Sequence, residues 1–217
     1  MTVPACLVSL FAAGGFELVG RVTATESADT TSHSHDISGL SIAAGDLLVS
    51  LIHQDGASDS FTPTGHTNFV TQVTSTSFRG SYKVCTGSET SVAWTSGASE
   101  KACSINYLFR KVGSTTPEAG TVGLNVSGAP DPAALSPSWG SAKVFWIAVA
   151  PCDQNGIVTT APSGYSDLVT TQTTGGTAGS NVGIGAAYRE TEASSEDPGA
   201  FDDPGAGSKD VTIAIKE

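Results

Sequence analysis

The segment His33-Ser34-His35-Asp36 sets two imidazoles on one side of an extended chain beside a carboxylate, groups that could supply part of a metal site. A third ligand has to come from elsewhere, and the Thr- and Ser-rich surroundings read as a solvated loop, so no metal is expected there. A second cluster, Glu196 and Asp197 followed by Asp202 and Asp203, gathers carboxylates in a Gly- and Pro-rich turn that a hard cation such as calcium can organise. Its spacing departs from an EF-hand loop, and a hydrated acidic turn is the simpler reading. Paired carboxylates for glycoside hydrolysis need opposed positions across a cleft, which spacing does not reveal. No Gly-x-Ser-x-Gly elbow occurs among the many serines. Neither Gly14-Gly15 nor Gly175-Gly176 opens a helix behind a strand, so neither cradles phosphate. No catalytic residue, metal ligand or cofactor is expected.

Cys6, Cys85, Cys103 and Cys152 form no CxxC pair and no Cys/His ligand spacing. Buried free thiols are expected; the alternative is a Cys85–Cys103 bridge between neighbouring strands. Trp94 and Trp146 sit in strand runs and read as core, whereas Trp139 in Pro137-Ser138-Trp139-Gly140 has a loop context suited to touching a partner.

The elements that must carry these residues are strands. Charged residues make up only 14% of the chain, Gly has 25 copies, and Ser and Thr are abundant, a composition poor in helix formers. Apolar alternation or short apolar runs recur at 16–24, 47–52, 69–73, 78–84, 92–94, 103–109, 122–126, 144–150, 157–160, 182–188 and 211–215, separated by Gly, Pro, Asp and Asn. The continuous run Val144-Phe-Trp-Ile-Ala-Val-Ala150 predicts a central strand covered on both faces. Asn155-Gly156 after it predicts a tight hairpin turn. No stretch carries a helical stripe.

Ten basic against 21 acidic side chains give a net charge of -11, which repels phosphate backbones and anionic lipid alike. Neither nucleic acid nor a membrane surface is expected as a partner. No segment reaches the ~18 consecutive apolar residues of a membrane span. Residues 1–15 are apolar, but no Lys or Arg precedes the run and Pro4 and Cys6 interrupt it, so they read as a docking arm rather than a signal peptide. Leu7, Leu10 and Phe11 are its candidate contact residues.

An internal echo bears on the domain count. Pro63-Thr-Gly65-His-Thr-Asn-Phe69-Val70-Thr71 matches Pro162-Ser-Gly164-Tyr-Ser-Asp-Leu168-Val169-Thr170, and each is followed by an aromatic beside a base, Tyr82-Lys83 and Tyr188-Arg189. Two such halves make either two domains or the two sheets of one sandwich. The second is expected, as a single domain over 16–217 with halves about 16–112 and 121–217, because neither half alone covers both faces of its apolar strand.

The order Gly45-Asp46-Leu47-Leu48-Val49, Pro63-x-Gly65, Ser81-Tyr82-Lys83-Val84, Gly87-Ser88-Glu89, Trp94, Tyr107-x-Phe109-Arg110 and Pro162-x-Gly164-Tyr165 resembles a jelly-roll-like domain of tailed-bacteriophage virion proteins. The likeness spans about residues 16 to 217, and His66 stands where that family has an aromatic after the first Pro-x-Gly. The resemblance implies an all-β, antiparallel jelly-roll-like sandwich with two similar halves, and it speaks more strongly to fold than to task. It further implies a non-enzymatic capsid decoration or cement protein on the virion surface, made in the host cytoplasm. Such a protein binds the major capsid protein, as a homo-oligomer with a trimer favoured. The alternatives are a tail-associated or receptor-binding protein that recognises a host glycan, and a secreted carbohydrate-binding module.

Overall fold

A computed structural model describes residues 16–57 and 61–217. Two antiparallel sheets face each other. The first holds β1 (Glu17–Asp36), β2 (Leu47–Asp55), β3 (Thr67–Val73), β4 (Thr76–Val84) and β5 (Ser91–Arg110) in the order β1-β5-β2-β4-β3. The second holds β6 (Glu118–Ala119), β7 (Gly123–Asn125), β8 (Ala142–Asp153), β9 (Ser166–Gln172), β10 (Val182–Ala193) and β11 (Ser208–Lys216). Its order is β6-β11-β8-β10-β9, with β7 also pairing β11. Among the described residues the helical content is one 3-10 turn, Ala178–Ser180.

The four-strand series β5-β2-β4-β3 and β11-β8-β10-β9 repeat one another, so the sequence echo corresponds to two sheets built alike. Thr67 opposes Tyr82 in one sheet as Ser166 opposes Tyr188 in the other, and both edge pairs carry a register shift next to that point. The Pro-x-Gly turns also match. His66 N donates to Pro63 O and Tyr165 N to Pro162 O, each at 3.0 Å. Gly65 and Gly164 take φ of 75° and 80°. A methyl group at either position meets only ordinary contact with the base behind it, so only the left-handed backbone resists substitution. Gly65→Ala and Gly164→Ala are each expected to lower unfolding free energy by about 1–2 kcal/mol, readable as a fall in denaturation midpoint.

The expected two-sheet sandwich is present, but jelly-roll connectivity does not appear in the strand order. A jelly roll passes repeatedly between its sheets, whereas this chain completes one sheet by Arg110 and then builds the other. The inner faces share one core: Leu47, Val49 and Leu51 of β2 meet Phe145, Ile147 and Val149 of β8, with Ile105, Tyr107 and Phe109 of β5 alongside. Phe109 and Phe145 cross edge-to-face at 5.0 Å, and Phe16 stacks on Phe109 at 5.5 Å, closing one end of the layer with aromatic rings.

The outer faces are covered too. Leu48 and Ile52 point outward into a cluster with Ile37, Phe61, Val92 and Trp94. On the other sheet Val144, Trp146 and Ala148 point outward under Leu135, Val158, Tyr165 and Phe201. The run 144–150 is thus the doubly covered central strand that its composition predicts, flanked by β10 and β11.

Three expected elements differ. The 92–94 and 103–109 strands are one 20-residue strand, β5, paired along its length with an equally long β1. Residues 157–160 form a loop: Val158 packs where Gly185 has no side chain, and Asp202 accepts the amides of Thr159 and Thr160. The Asn155-Gly156 segment does turn the chain, Gly156 N donating to Asp153 O at 3.1 Å. Its left-handed residue is Gln154, and no hairpin follows, because β8 pairs with β10 and β11.

Candidate functional site

The long β1 carries the histidine segment, which is strand rather than solvated loop. His33 and His35 point the same way and both are buried, while Ser32, Ser34 and Asp36 face water. His33 opposes Trp94 in β5 and lies flat on its indole at 4.7 Å, and His35 meets the same ring edge-on at 4.8 Å. His33 Nδ1 sits 2.7 Å from Glu26 Oε2, and its Nε2 3.1 Å from Ser96 Oγ.

That acid–imidazole–hydroxyl order is the relay of a nucleophilic serine. Activation requires the Ser96 proton to point at His33 Nε2. Ser96 Oγ donates instead to Ala98 O at 2.6 Å, and the other group within reach, Thr30 O, is also an acceptor and cannot stabilise an oxyanion. The geometry reads as satisfaction of a buried imidazole. His35 is fixed by Ser104 Oγ at 2.6 Å, itself receiving Asn106 Nδ2 at 2.9 Å. Burial, with His33 nearby, lowers the His35 pKa to about 4.

The acidic turn is likewise tied down. Asp202 accepts from Thr159 and Thr160, Asp203 Oδ1 accepts from Gly205 N, and Glu196 accepts from Arg189 and Tyr165. Lys83 and Glu89 pair at 3.0 Å in the first half as Arg189 and Glu196 pair at 3.0 Å in the second, each beside its Pro-x-Gly turn. The motif that repeats along the chain is therefore a turn clamp. Among the described residues no three of His, Cys, Asp and Glu gather to hold a metal ion. Cys85 lies in the outer cluster and Cys103 in the inner core, on opposite faces of one sheet, and both are free, as is Cys152.

Trp139 sits half-buried against the outer cluster of the second sheet rather than free on a loop tip, its indole nitrogen enclosed without a hydrogen-bond partner. Leu7, Leu10 and Phe11 lie outside the described residues.

The sequence does not signal the polar groups that meet between the sheets at the end opposite Phe16. His53 of β2 and Thr76 of β4 come from one sheet, Asp153 of β8 and Lys209 of β11 from the other. Lys209 is 1% exposed; its Nζ donates to Thr76 Oγ1 and, at 3.1 Å, to Asp153 Oδ1. Thr76 Oγ1 reaches the same carboxylate oxygen at 2.7 Å. His53 Nδ1 donates to Gly183 O at 2.9 Å, and its Nε2 lies 2.9 Å from Thr76 Oγ1. Burial opposes ionisation of Asp153, but hydrogen bonding to His53 and the adjacent Lys209 outweigh it and hold the carboxyl below its usual range. Burial also lowers the pKa of His53.

Above this quartet opens a cavity of about 300 Å³, lined by Thr74, Ser75, Asp153, Gln154, Ser208 and Lys209 and rimmed by Leu124 and Val126. A second group that strand pairing assembles, Asp29, Asp55 and Glu100, comes from three strands of the first sheet. Burial, then Asp55 and Asp29, raises the Glu100 pKa.

Comparison with family models, with curated proteins and with solved structures finds no match for this chain.

Proposed function

We propose that the chain is a non-catalytic structural protein that decorates the head of a tailed-phage particle, seated on the major capsid protein. The observation that carries this reading is where the cations lie. Arg21, Lys83, Arg110, Arg189 and Lys209 are each bound to a carboxylate, Lys101 donates to Gly175 O and Asn181 Oδ1, and buried Arg79 stands over Phe61. Glu17, Asp36, Asp131, Glu190, Glu192, Asp197 and Asp203 remain exposed, against Lys111 and Lys143 among the cations. The outward field is anionic and hydroxyl-rich, which opposes non-specific association at high local density and repels packaged nucleic acid.

Docking would use the apolar residues Leu7, Leu10 and Phe11, with Trp139 at the margin, and burial between capsomers would add binding free energy that the particle loses only by separating them. A symmetric trimer suits a local threefold. Immunogold labelling of particles with antibody against the chain is expected to decorate heads. Label confined to the tail tip would transfer the reading to receptor binding, and unlabelled particles would remove it.

A further inference from the structure

The outer face of the first sheet is covered by that sheet's own strands. Ser104 pairs with Ala24, and His35 lies so much further along β1 that a straight strand would carry it roughly 36 Å away. Yet His35 Nδ1 is 2.6 Å from Ser104 Oγ. Likewise Trp94 Nε1 donates at 3.0 Å to Gln54 Oε1, although Gln54 opposes Ala102, well beyond Trp94 on β5. β1 and β5 therefore bend together where their register breaks, between Glu26 and Ser32, and fold back as a two-stranded strap of residues 30–37 and 90–96. Ile37, Val92 and Trp94 on its underside meet Leu48, Ile52 and Leu108 of the sheet. Its other side, at Thr31, Ser32, Ser34, Asp36, Ser91 and Thr95, is in water. A two-stranded ribbon is marginal alone, so this one stays down through what lies beneath it.

Of the two imidazoles on the underside, only one has an acid partner. Glu26 Oε2 stands 2.7 Å from His33 Nδ1, so a proton there is balanced. His35 faces Ser104 and, through it, Asn106 on β5, the edge of Trp94, and Gln54 of β2 under that indole, none of them acidic. The charge-bearing groups around it are His33 on its own strand and Arg79 of β4, over the Phe61 ring that touches Trp94. Both carry or gain positive charge. Asp36, next in sequence, faces water. His35 Nε2 is enclosed without a hydrogen-bond partner among the described residues. Protonating the ring in place thus buries a charge and an N–H that has no acceptor. In water the same ring takes a proton in the ordinary range.

We infer that residues 30–37 and 90–96 form an acid-released strap, in which protonation of His35 favours the lifted state and falling pH raises its population. Lifting uncovers Trp94, Val92 and Ile37 together with Leu48 and Ile52, an apolar face that the closed molecule hides. The inference goes beyond the docking reading and does not rest on it. It is also distinct from global unfolding, because β2 and β8 keep their pairings while the strap is up.

The experiment is amide hydrogen exchange of the full chain at pH 7, 6 and 5, corrected for the intrinsic pH dependence of exchange. With burial holding the folded imidazole at about 4, the lifted population rises about twentyfold from pH 7 to pH 5. Amides in 32–37 and 91–95 are expected to follow that rise and to be less protected than those of 145–149 at every pH. His35→Gln keeps a neutral partner for Ser104 and is expected to abolish the rise in the strap, whereas His66→Tyr, outside the strap, is expected to leave it unchanged. The inference is overturned if strap and 145–149 amides exchange through one common opening, if strap opening does not change with pH, or if His35→Gln retains the rise. The first two outcomes are read on the parent chain and need no variant to fold.

Discussion

Acidification from about pH 7 to pH 5 is expected to remove a few kcal/mol of stability, before most carboxylates protonate. The cause is two imidazoles folded in their neutral form. His35 and His66 both fall from 6.5 to about 4, each first through burial, His66 with Lys83 as the adjacent positive charge. Below 6.5 the unfolded chain takes up protons that the folded chain refuses, so their stabilising share is complete above that pH and lost as pH falls toward 4. Each histidine then contributes a slope of about 1.4 kcal/mol per pH unit. His53 shifts in the same direction, and the depressed carboxyls of Asp46, Asp153 and Asp167 extend the loss to lower pH. Urea unfolding at several pH values measures the effect. His66→Tyr, which installs the residue that the other half carries at Tyr165, should lower the slope by one proton's worth. Equal stability at pH 7 and pH 4.5 would refute the assignment.

Lys209→Ala is expected to lower unfolding free energy by about 3–5 kcal/mol, because it strands a carboxylate at the sheet interface after removing the buried cation that pairs with it. Asp153 retains Thr76 and His53 but loses the ammonium that balances its charge. The double variant Asp153→Asn with Lys209→Met is expected to recover much of that loss, since an uncharged pair of similar shape carries no desolvated ion. A single variant that loses less than about 1 kcal/mol would mean that Asp153 is hydrated through the cavity and needs no partner.

The apolar strands were legible because their signal is local. Runs such as 47–52 and 144–150 have few other stable placements than between two covered layers, and the Pro-x-Gly echo located two corresponding edges. The histidine segment shows where local reading stops. Its period-two spacing is that of a strand, but Ser, Thr and His conceal it unless Trp94, about 60 residues later, is known to lie opposite. The His53–Thr76–Asp153–Lys209 quartet was illegible for the same reason in stronger form. Each member lies at or near an end of a different strand, and only the facing of two sheets brings them within hydrogen-bonding distance. Residue 157–160 misled in the other direction, since β-branched residues fit a covering loop over Gly185 as well as a strand.

Because each sheet is assembled from one stretch of chain, a single link, residues 111–117, joins them. The first sheet can pair its strands while the second is still emerging from the ribosome, and during that interval its inner apolar face waits uncovered. Any second sheet of the right sequence fits that face, including one from another copy. Shortening the link until it cannot fold back is therefore expected to exchange the two halves between chains, with every native pairing retained.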